Sequence, residues 1–186
     1  MRTKTALLTF SIVFTAITVE AQTTGTLTDS RDGKSYKTIS IGPQTWMAEN
    51  LNYSTSNSWC YGESPTNCNG FSRLYTWETA QNACPSGWHL PTKSEFDALL
   101  SHVGGSGINA YHALKESGNS GFTSLFGGWR NSKGQFGDLG VHGHYWTSTE
   151  ARSRTAWGMS MNSIVQYSSM RFLYRNWGFS VRCLKD

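Results

Sequence analysis

The sequence predicts an α+β domain, with two or three helices in its first half followed by antiparallel strands joined by long, ordered loops. Apolar residues recur at helical spacing in the middle of the chain, whereas short aromatic segments punctuated by glycine follow from Gly118 onward. The composition agrees, because 19 glycines and 13% aromatic residues stand against only 15% charged residues. Such a balance is typical of short strands and tight turns. Since disordered chains are poor in aromatic residues, the chain should fold.

The helices are predicted from the spacing of apolar residues and from their end signals. Residues 74–83 place leucine, tryptophan and alanine on one face, and Pro85 ends that pattern. A second helix is predicted to begin after Thr92, which can cap it while Glu95 completes a capping box. Residues 108–115 fit a short third helix. No period recurs along the chain, which excludes a repeat array.

Strands are predicted where apolar and polar residues alternate between turn residues. Their predicted ranges are 36–41, 44–48, 145–147, 155–161, 164–172 and 177–183. Gly42 and the following proline join the first two in an opening hairpin, and residues 131–134 form a turn. Residues 52–72 are predicted to be a polar loop. Residues 22–32 are polar and are predicted to be a flexible leader, so that the domain covers 33–186.

Residues 1–21 have the parts of a secretory signal. Arg2 and Lys4 form a short positive segment, an uncharged apolar run over 6–19 follows, and small residues precede a cut before Gln22. The alternative is an uncleaved membrane anchor, which is disfavoured because the run is shorter than the ~20 residues that span a bilayer. The sequence therefore predicts export to the periplasm, the cell surface or the medium, with no membrane span after signal cleavage.

Four cysteines remain in the predicted mature chain: Cys60, Cys68, Cys84 and Cys183. In an exported protein an even number predicts two disulfides, and three connectivities are open. Local reach favours Cys60–Cys68, and Cys84–Cys183 then ties the middle of the chain to its end. A zinc site made from the four cysteines is the alternative, and the lack of a C-x2-C pair disfavours it.

The charge balance argues against a nucleic-acid partner. The chain has 16 basic and 12 acidic residues, a net charge of +4. Some crowding occurs only among five late arginines: Arg152, Arg154, Arg171, Arg175 and Arg182. Because nucleic-acid-binding proteins normally show a denser basic stripe, this class of partner is not expected.

Six motifs that follow one another along the chain resemble those of a known family. They are QTWMAENL at 44–51, RLYTW at 73–77, CPSGWHLPT at 84–92, GGWRN at 127–131, YWTSTE at 145–150 and GFSVRC at 178–183. These segments resemble the Fibrobacter succinogenes major paralogous domain, a family of exported bacterial domains. The long run at 84–92 is the most specific of them, and the resemblance covers almost the whole mature chain.

The resemblance implies a C-type-lectin-like fold, similar also to the formylglycine-generating (sulfatase-modifying) family. It fits a disulfide between Cys84 and Cys183. It implies little about activity, because the family has no settled biochemical role and fold does not fix function.

The sequence lacks the residues that usually support calcium-dependent sugar binding in C-type lectin domains and catalysis in the formylglycine-generating family. Calcium takes six to eight oxygen ligands, usually with several carboxylates, and the chain from Gly118 onward offers only Asp138, Glu150 and Asp186. Formylglycine-generating enzymes hold copper through two cysteines before the last strand, whereas residues 168–177 contain none. An unusual calcium site made from Asp138, Glu150 and backbone carbonyls is the alternative. No metal or other cofactor is expected.

His142 and His144 are the remaining candidates for a metal pair. One glycine separates them, so an extended segment can present both imidazoles on one side, and Glu150 is the nearest third ligand for a catalytic zinc ion. Two ligands at this spacing are weak evidence, and a solvated glycine-rich turn is favoured. His89 is predicted to be a buried, hydrogen-bonded structural group.

Aromatic residues provide the last signal. Four tryptophans in patterned segments are predicted to be in the core: Trp46, Trp77, Trp88 and Trp146. Rings in loops or at strand edges are predicted to bind a ligand: Trp59, Tyr61, Trp129, Trp157, Tyr174 and Trp177, with Tyr167 beside them. Flat, rigid rings next to amides and hydroxyls suit carbohydrate or protein recognition. The alternative is that each ring packs beneath a long loop.

The sequence therefore predicts an exported, non-enzymatic binding or adhesion module with a carbohydrate or protein ligand. No G-x-S-x-G segment or other coherent catalytic set is present. Two alternatives stay open: a structural component of the cell envelope, and a metal-dependent enzyme that uses His142, His144 and Glu150.

Overall fold

The structure, a computed structural model, describes residues 23–186. The predicted signal segment, 1–21, and the cut before Gln22 lie outside this range. The helices within it are α1 (Pro65–Phe71), α2 (Trp77–Ala80), α3 (Lys93–His102) and α4 (Ile108–Leu114). None of these helices is long and apolar enough to cross a membrane.

The strands form two larger and two smaller antiparallel sheets within the described range. They are β1 (Thr24–Thr28), β2 (Ser35–Ile41), β3 (Gln44–Met47), β4 (Ser58–Cys60), β5 (Arg73–Tyr75), β6 (Trp88–His89), β7 (Trp129–Arg130), β8 (Phe136–Gly137), β9 (His142–Arg152), β10 (Thr155–Asn162), β11 (Tyr167–Tyr174) and β12 (Leu184–Lys185). The chain is thus a mixture of helices in its first part and antiparallel strands, and this part of the predicted fold class is confirmed.

Early and late parts of the chain meet in a five-stranded sheet with the spatial order β1-β2-β3-β12-β6. The hairpin predicted over 36–41 and 44–48 is confirmed as β2 and β3, which pair antiparallel. Gly42 permits the tight turn between them because its φ is +56°, a conformation that residues with a side chain rarely adopt.

The prediction of a flexible leader over 22–32 is wrong for its described part. Residues 24–28 form β1, which pairs with β2 along its whole length, and Asp29 is buried in the turn that follows. The Asp29 carboxylate accepts hydrogen bonds from Nε (2.8 Å) and Nη2 (2.6 Å) of Arg31, which lower the pKa of that carboxyl. Backbone hydrogen bonds hold β1 at the sheet edge, so the strand does not need apolar side chains. Its threonines therefore show no apolar alternation from which a strand could be predicted.

The helix predicted over 74–83 is wrong in its first part. Residues 73–75 form β5, which pairs with β4, and only the short α2 is helical. Tyr75 is fully buried and exchanges two backbone hydrogen bonds with Phe179. Thr76 has extended backbone angles and caps α2 with its side chain. Strand pairing and burial therefore outweigh the helical spacing of the apolar residues.

The two other predicted helices are confirmed as α3 and α4. The Thr92 hydroxyl accepts a hydrogen bond from the backbone N–H of Glu95 (3.2 Å), and the Glu95 carboxylate accepts one from that of Thr92 (2.6 Å). This is the predicted capping box. Phe96 and Leu99 on α3 and Leu114 on α4 are fully buried, so both helices pack against the core.

The region predicted as a loop, 52–72, contains β4, a 3-10 turn at Tyr61–Glu63 and α1. Pro65 occupies the first turn of α1, where its fixed φ suits a helix. Cys68 on α1 is bonded to Cys60 at the end of β4. Asparagine and glycine in α1 favour loops, so its helical propensity is low and the sequence pattern gave no sign of it.

Both predicted disulfides, Cys60–Cys68 and Cys84–Cys183, are confirmed, with Cα atoms 4.9 and 5.8 Å apart. No cysteine within residues 23–186 is therefore free. The first closes a short surface segment. The second joins Cys84, which precedes β6, to Cys183, which precedes β12 and is fully buried. It therefore ties the segment before β6 to the core.

The second larger sheet has the spatial order β11-β10-β9. It confirms the strands predicted over 145–147 and 155–161, although β9 extends further on both sides. The strand predicted over 164–172 begins later, as β11, because a turn precedes it. There the Asn162 side-chain oxygen accepts hydrogen bonds from two backbone N–H groups at 2.8 and 3.0 Å.

The segment predicted as a strand over 177–183 is instead a connector between elements, and regular pairing begins only at β12. Its bridges are single and reach three elements: Gly178–Arg130, Phe179–Tyr75 and Ser180–Tyr145. The segment thus ties β7, β5 and β9 together. The predicted turn over 131–134 is confirmed and joins β7 to β8.

Arg182, near the end of this connector, is fully buried and makes no ion pair with a carboxylate of the described chain. Its Nε donates to the side-chain oxygen of Asn50 (2.8 Å), and its terminal nitrogens donate to the carbonyls of Met47 (3.1 Å), Phe122 and Thr123 (2.8 Å). Burial lowers the pKa of Arg182 to about 10, so it stays charged at neutral pH. One side chain therefore links two distant segments.

Buried side chains form two clusters between the helices and the sheets. In the first, the Trp46 ring lies 4.9 Å from that of Phe96, measured between centroids. The second contains Trp146, whose side chain is fully buried. Of the other predicted core tryptophans, Trp77 is buried and Trp88 is half-buried.

Candidate functional site

Three of the six predicted ligand-binding rings lie together and form what we call the aromatic cluster: Trp129, Tyr174 and Trp177. The Trp177 ring is in the middle, with its centroid 5.1 Å from that of Trp129 and 5.7 Å from that of Tyr174. Tyr174 is 55% exposed, and the two tryptophans are half-buried. The cluster is therefore anchored on one side and open to solvent on the other.

Trp59 and Tyr61, also predicted to bind the ligand, pack on residues of the β7–β8 hairpin instead. The Arg130 guanidinium carbon lies 3.9 Å from the centroid of the Trp59 ring. Tyr61 packs on Phe136, with centroids 5.2 Å apart. Both rings are half-buried and stabilise the β7–β8 hairpin. They therefore follow the alternative given above, in which a ring packs against the protein and does not bind a ligand.

Trp157 is separate from the other rings. Its centroid lies 4.3 Å from that of Phe172, and the Lys93 ammonium lies 4.9 Å from its ring centroid. It therefore contacts β11 and the start of α3. The structure does not bring it to the aromatic cluster.

The two histidines singled out in the sequence do lie on one side of β9, because residues two apart in a strand share a face. The rings of His142 and His144 are stacked, with centroids 5.2 Å apart and planes at 7°. The edge of Phe179 contacts His144 (5.0 Å), and Phe179 in turn lies 6.1 Å from Trp177. The histidine pair is thus continuous with the aromatic cluster.

The tautomer of His142 is fixed by its neighbours. Because the side-chain oxygen of Asn162 already accepts two backbone hydrogen bonds, its amide N–H donates to Nε2 of His142 (2.6 Å). The proton of the neutral ring is therefore on Nδ1, which lies 3.0 Å from the Asp138 carboxylate, although the angle does not suit a hydrogen bond. Nε1 of Trp129 donates to the same carboxylate oxygen at 2.8 Å. Asp138 thereby links the histidine pair to the aromatic cluster.

His144 is held as a neutral group. Burial, and next the neighbouring charge of His142, lower the pKa of His144 to about 4. Its Nδ1 lies 2.8 Å from the Ser160 hydroxyl, and its Nε2 has no hydrogen-bond partner among the described residues. At neutral pH this ring is a polar contact group rather than a charge.

A groove of about 560 Å³ lies on this face of the β9–β11 sheet. Its polar lining consists of His142, His144, Ser160, Asn162, Ser169 and Arg171. The strand register explains the row, because Ser160 pairs with His144 on one side and with Ser169 on the other. We call this feature the histidine groove.

Most residues of the histidine groove were not predicted from the sequence. Ser160 and Asn162 alternate with buried methionines on β10, and on β11 Ser169 pairs with Ser160 while Arg171 follows two residues later on the same side. Polar residues at every second position of two neighbouring strands mark one solvent-facing side. That alternation is visible in the sequence of each strand. The pairing of β10 with β11, which the sequence does not show, is needed to place their polar residues in one groove.

A larger hollow of about 1220 Å³ lies beside α3 and α4. His102 and His112 line it, together with serine, glycine and asparagine residues and a small apolar wall of Ile41, Val103 and Ala113, but no tryptophan, tyrosine or phenylalanine of residues 23–186 does. We do not assign it as the site, because polar residues dominate its lining, whereas ligand sites are lined mostly by apolar and aromatic side chains.

The metal set His142, His144 and Glu150 is wrong. Glu150 pairs with Arg175 (2.6 Å), and the carboxylate beside His142 belongs to Asp138. Within residues 23–186 no three histidine, cysteine, aspartate or glutamate side chains are arranged to hold a metal ion. In the alternative calcium site, Asp138 contacts His142 and Trp129, and Glu150 pairs with Arg175.

His89 is half-exposed rather than buried, but its predicted hydrogen bonding is confirmed. Nδ1 lies 2.7 Å from the Asp186 carboxylate and Nε2 lies 3.0 Å from that of Glu95. Burial alone would lower the pKa of His89, but the two carboxylates outweigh it, and the pKa is raised. This arrangement joins β6, the start of α3 and the last residue.

The sequence as a whole can be compared with known proteins, solved structures and family profiles. No curated protein and no solved structure gives a match. The family profile described as the Fibrobacter succinogenes major domain matches residues 39–185. That range runs from β2 to β12 and contains both disulfides, the aromatic cluster and the histidine groove. Because it covers most of the sequence, in agreement with the six motifs, the chain belongs to the Fibrobacter succinogenes major domain family.

Proposed function

We propose that the protein is an exported, non-enzymatic binding module that recognises a carbohydrate through the aromatic cluster and the histidine groove. One observation carries the proposal: Trp129, Trp177 and Tyr174 are joined through Asp138 and His142 to a polar groove. Rigid rings beside oriented hydrogen-bonding groups suit ligands that have both apolar faces and hydroxyls.

A carbohydrate is favoured over a protein ligand because of the size and the shape of the site. The volume of about 560 Å³ falls within the range of small-ligand sites, roughly 300–1,000 Å³. A stable protein interface needs a surface of about 800 Å² on each partner. The groove, with the exposed rings of Tyr167 and Phe172 in its lining and Tyr174 in the aromatic cluster, fits the smaller ligand better.

We propose that the protein is not an enzyme because the polar groups of the histidine groove lack the protonation and the contacts that catalysis requires. Ser160 and His144 are within hydrogen-bond distance, as a nucleophile and a base would be, but the pKa of about 4 makes His144 a weak base at neutral pH. The nearby carboxylate of Asp138 contacts His142 and Trp129 rather than His144. Among residues 23–186 no carboxylate therefore orients His144 as in a catalytic triad.

Export and a C-type-lectin-like fold belong to the same proposal. The two disulfides are typical of oxidising compartments, and residues 1–21 have the pattern of a signal. The long disulfide to Cys183 and the sheet that unites early and late strands agree with the fold that the resemblance implies. An experimental structure superposed on C-type lectin domains would test the fold.

Glycan and protein arrays probed with the mature domain test the function. We expect glycan ligands whose affinity falls at least about tenfold in Trp177→Ala and Tyr174→Ala, since buried aromatic contacts contribute about 2 kcal/mol or more. Trp157→Ala is the matched control, because Trp157 is half-buried but lies outside the aromatic cluster. Circular dichroism should show all three variants folded.

A silent glycan array would contradict the proposal and favour a structural role in the cell envelope. Equal losses in the control and in the two cluster variants would place the binding surface elsewhere. Ligands found only on the protein array would contradict the carbohydrate assignment.

A further inference from the structure

Arg171 is an uncompensated positive charge in the histidine groove. Its side chain is exposed and makes no ion pair with a carboxylate among residues 23–186. Arg175, four residues further on, differs because it pairs with Glu78 (3.1 Å) and Glu150 (2.6 Å). Of the described residues, no aspartate or glutamate lines the groove, and the Asp138 carboxylate, which contacts His142, lies outside the lining. The guanidinium of Arg171 therefore has its donors available to a ligand.

The histidine groove has further hydrogen-bond donors beside Arg171. The register places Ser169 opposite Ser160 and Arg171 opposite Gly158, so the side chains of Ser169 and Arg171 share one face. The Ser169 hydroxyl and Nε2 of His144 have no hydrogen-bond partner within the described part of the chain. When the Ser160 hydroxyl donates to Nδ1 of His144, Nε2 carries the proton and is a donor in a ring that lines the groove.

We infer that the histidine groove binds an acidic saccharide, whose carboxylate is held by Arg171 while a sugar ring lies along Tyr167. An arginine matches a carboxylate with two parallel hydrogen bonds, and an excess of donors suits an anion. Tyr167 is 44% exposed, lines the same groove and stands on the same side of β11 as Arg171. This inference rests on the proposed function and narrows its ligand to glycans that contain uronic acids.

Isothermal titration calorimetry of the mature domain with a short oligogalacturonate and with its methyl ester tests the inference. The ester keeps the sugar but removes the charge, so we expect it to bind at least about tenfold more weakly. Arg171→Gln should weaken binding of the acid by a similar factor. Arg154→Gln is the matched control, because Arg154 is also exposed but does not line the groove, and its effect should stay below about twofold.

Several outcomes would overturn the inference. Equal affinity for the acid and its ester, equal losses in the two arginine variants, or no binding of either saccharide would each do so. Binding of a polyglutamate peptide with the same dependence on Arg171 would overturn the saccharide assignment. The proposed function falls separately, only if the glycan array is silent or if its ligands are insensitive to Trp177→Ala.

Discussion

The two disulfides should differ in what they contribute to stability. Cys84 and Cys183 are 99 residues apart in sequence, whereas Cys60 and Cys68 are 8 apart. On the chain-entropy relation, loops of these lengths correspond to about 4.7 and about 2.5 kcal/mol of free energy of unfolding. Location adds to the difference, because Cys183 is fully buried in the core and Cys60 is half-exposed.

Replacing each pair by alanine tests this without leaving an unpaired thiol. Removal of Cys84 and Cys183 should lower the free energy of unfolding by about 2 kcal/mol more than removal of Cys60 and Cys68. Equilibrium unfolding in urea, followed by tryptophan fluorescence, measures both losses on one scale. Non-reducing peptide mapping checks the pairing itself. Equal losses, or a larger loss from the short pair, would refute the dominance of the long disulfide, and a peptide linking Cys60 to Cys84 would refute the pairing.

Further predictions concern single residues. Arg182→Met removes the donors of four hydrogen bonds, three of them buried, so it should cost at least about 3 kcal/mol in urea unfolding, and a near-neutral effect would contradict that role. Because the folded state raises the pKa of His89, its stabilisation is present below the unfolded pKa of about 6.5 and is lost as pH rises through the folded value. His89→Gln should remove this loss from a series of urea midpoints against pH. His144 has the opposite sign: its folded pKa of about 4 means that stability falls as pH drops below about 6.5, and His144→Gln should flatten that fall. Mass spectrometry of exported protein should find Gln22 as the first residue, and an intact Met1 would contradict signal cleavage.

The parts of the fold predicted correctly have local signals. The capping box of Thr92 and Glu95 lies within four residues, and the β2–β3 hairpin is specified by a two-residue turn. The failures depend on distant partners. Residues 73–75 become a strand because Phe179 and β4 pair with them, and the polar β1 is held by the backbone of β2. No helical or strand periodicity within these segments could reveal such pairing.

The candidate site was predicted only in part for the same reason. The loop position of Trp129, Tyr174 and Trp177 identified them as surface rings, but it identified Trp59 equally well. What separates them is Arg130, which packs on Trp59 and removes it from the site. Contacts of this kind join residues far apart in sequence, so composition and spacing cannot rank one ring above another.

Two-dimensional NMR of the indole N–H groups tests the central claim most directly. In a titration with the strongest ligand from the glycan array, the signals of Trp129 and Trp177 should move, because both belong to the aromatic cluster. Those of Trp46 and Trp146 should stay in place, since both side chains are fully buried in the core. Movement of the Trp157 signal while Trp129 and Trp177 stay unchanged would contradict the account and place the ligand on another surface.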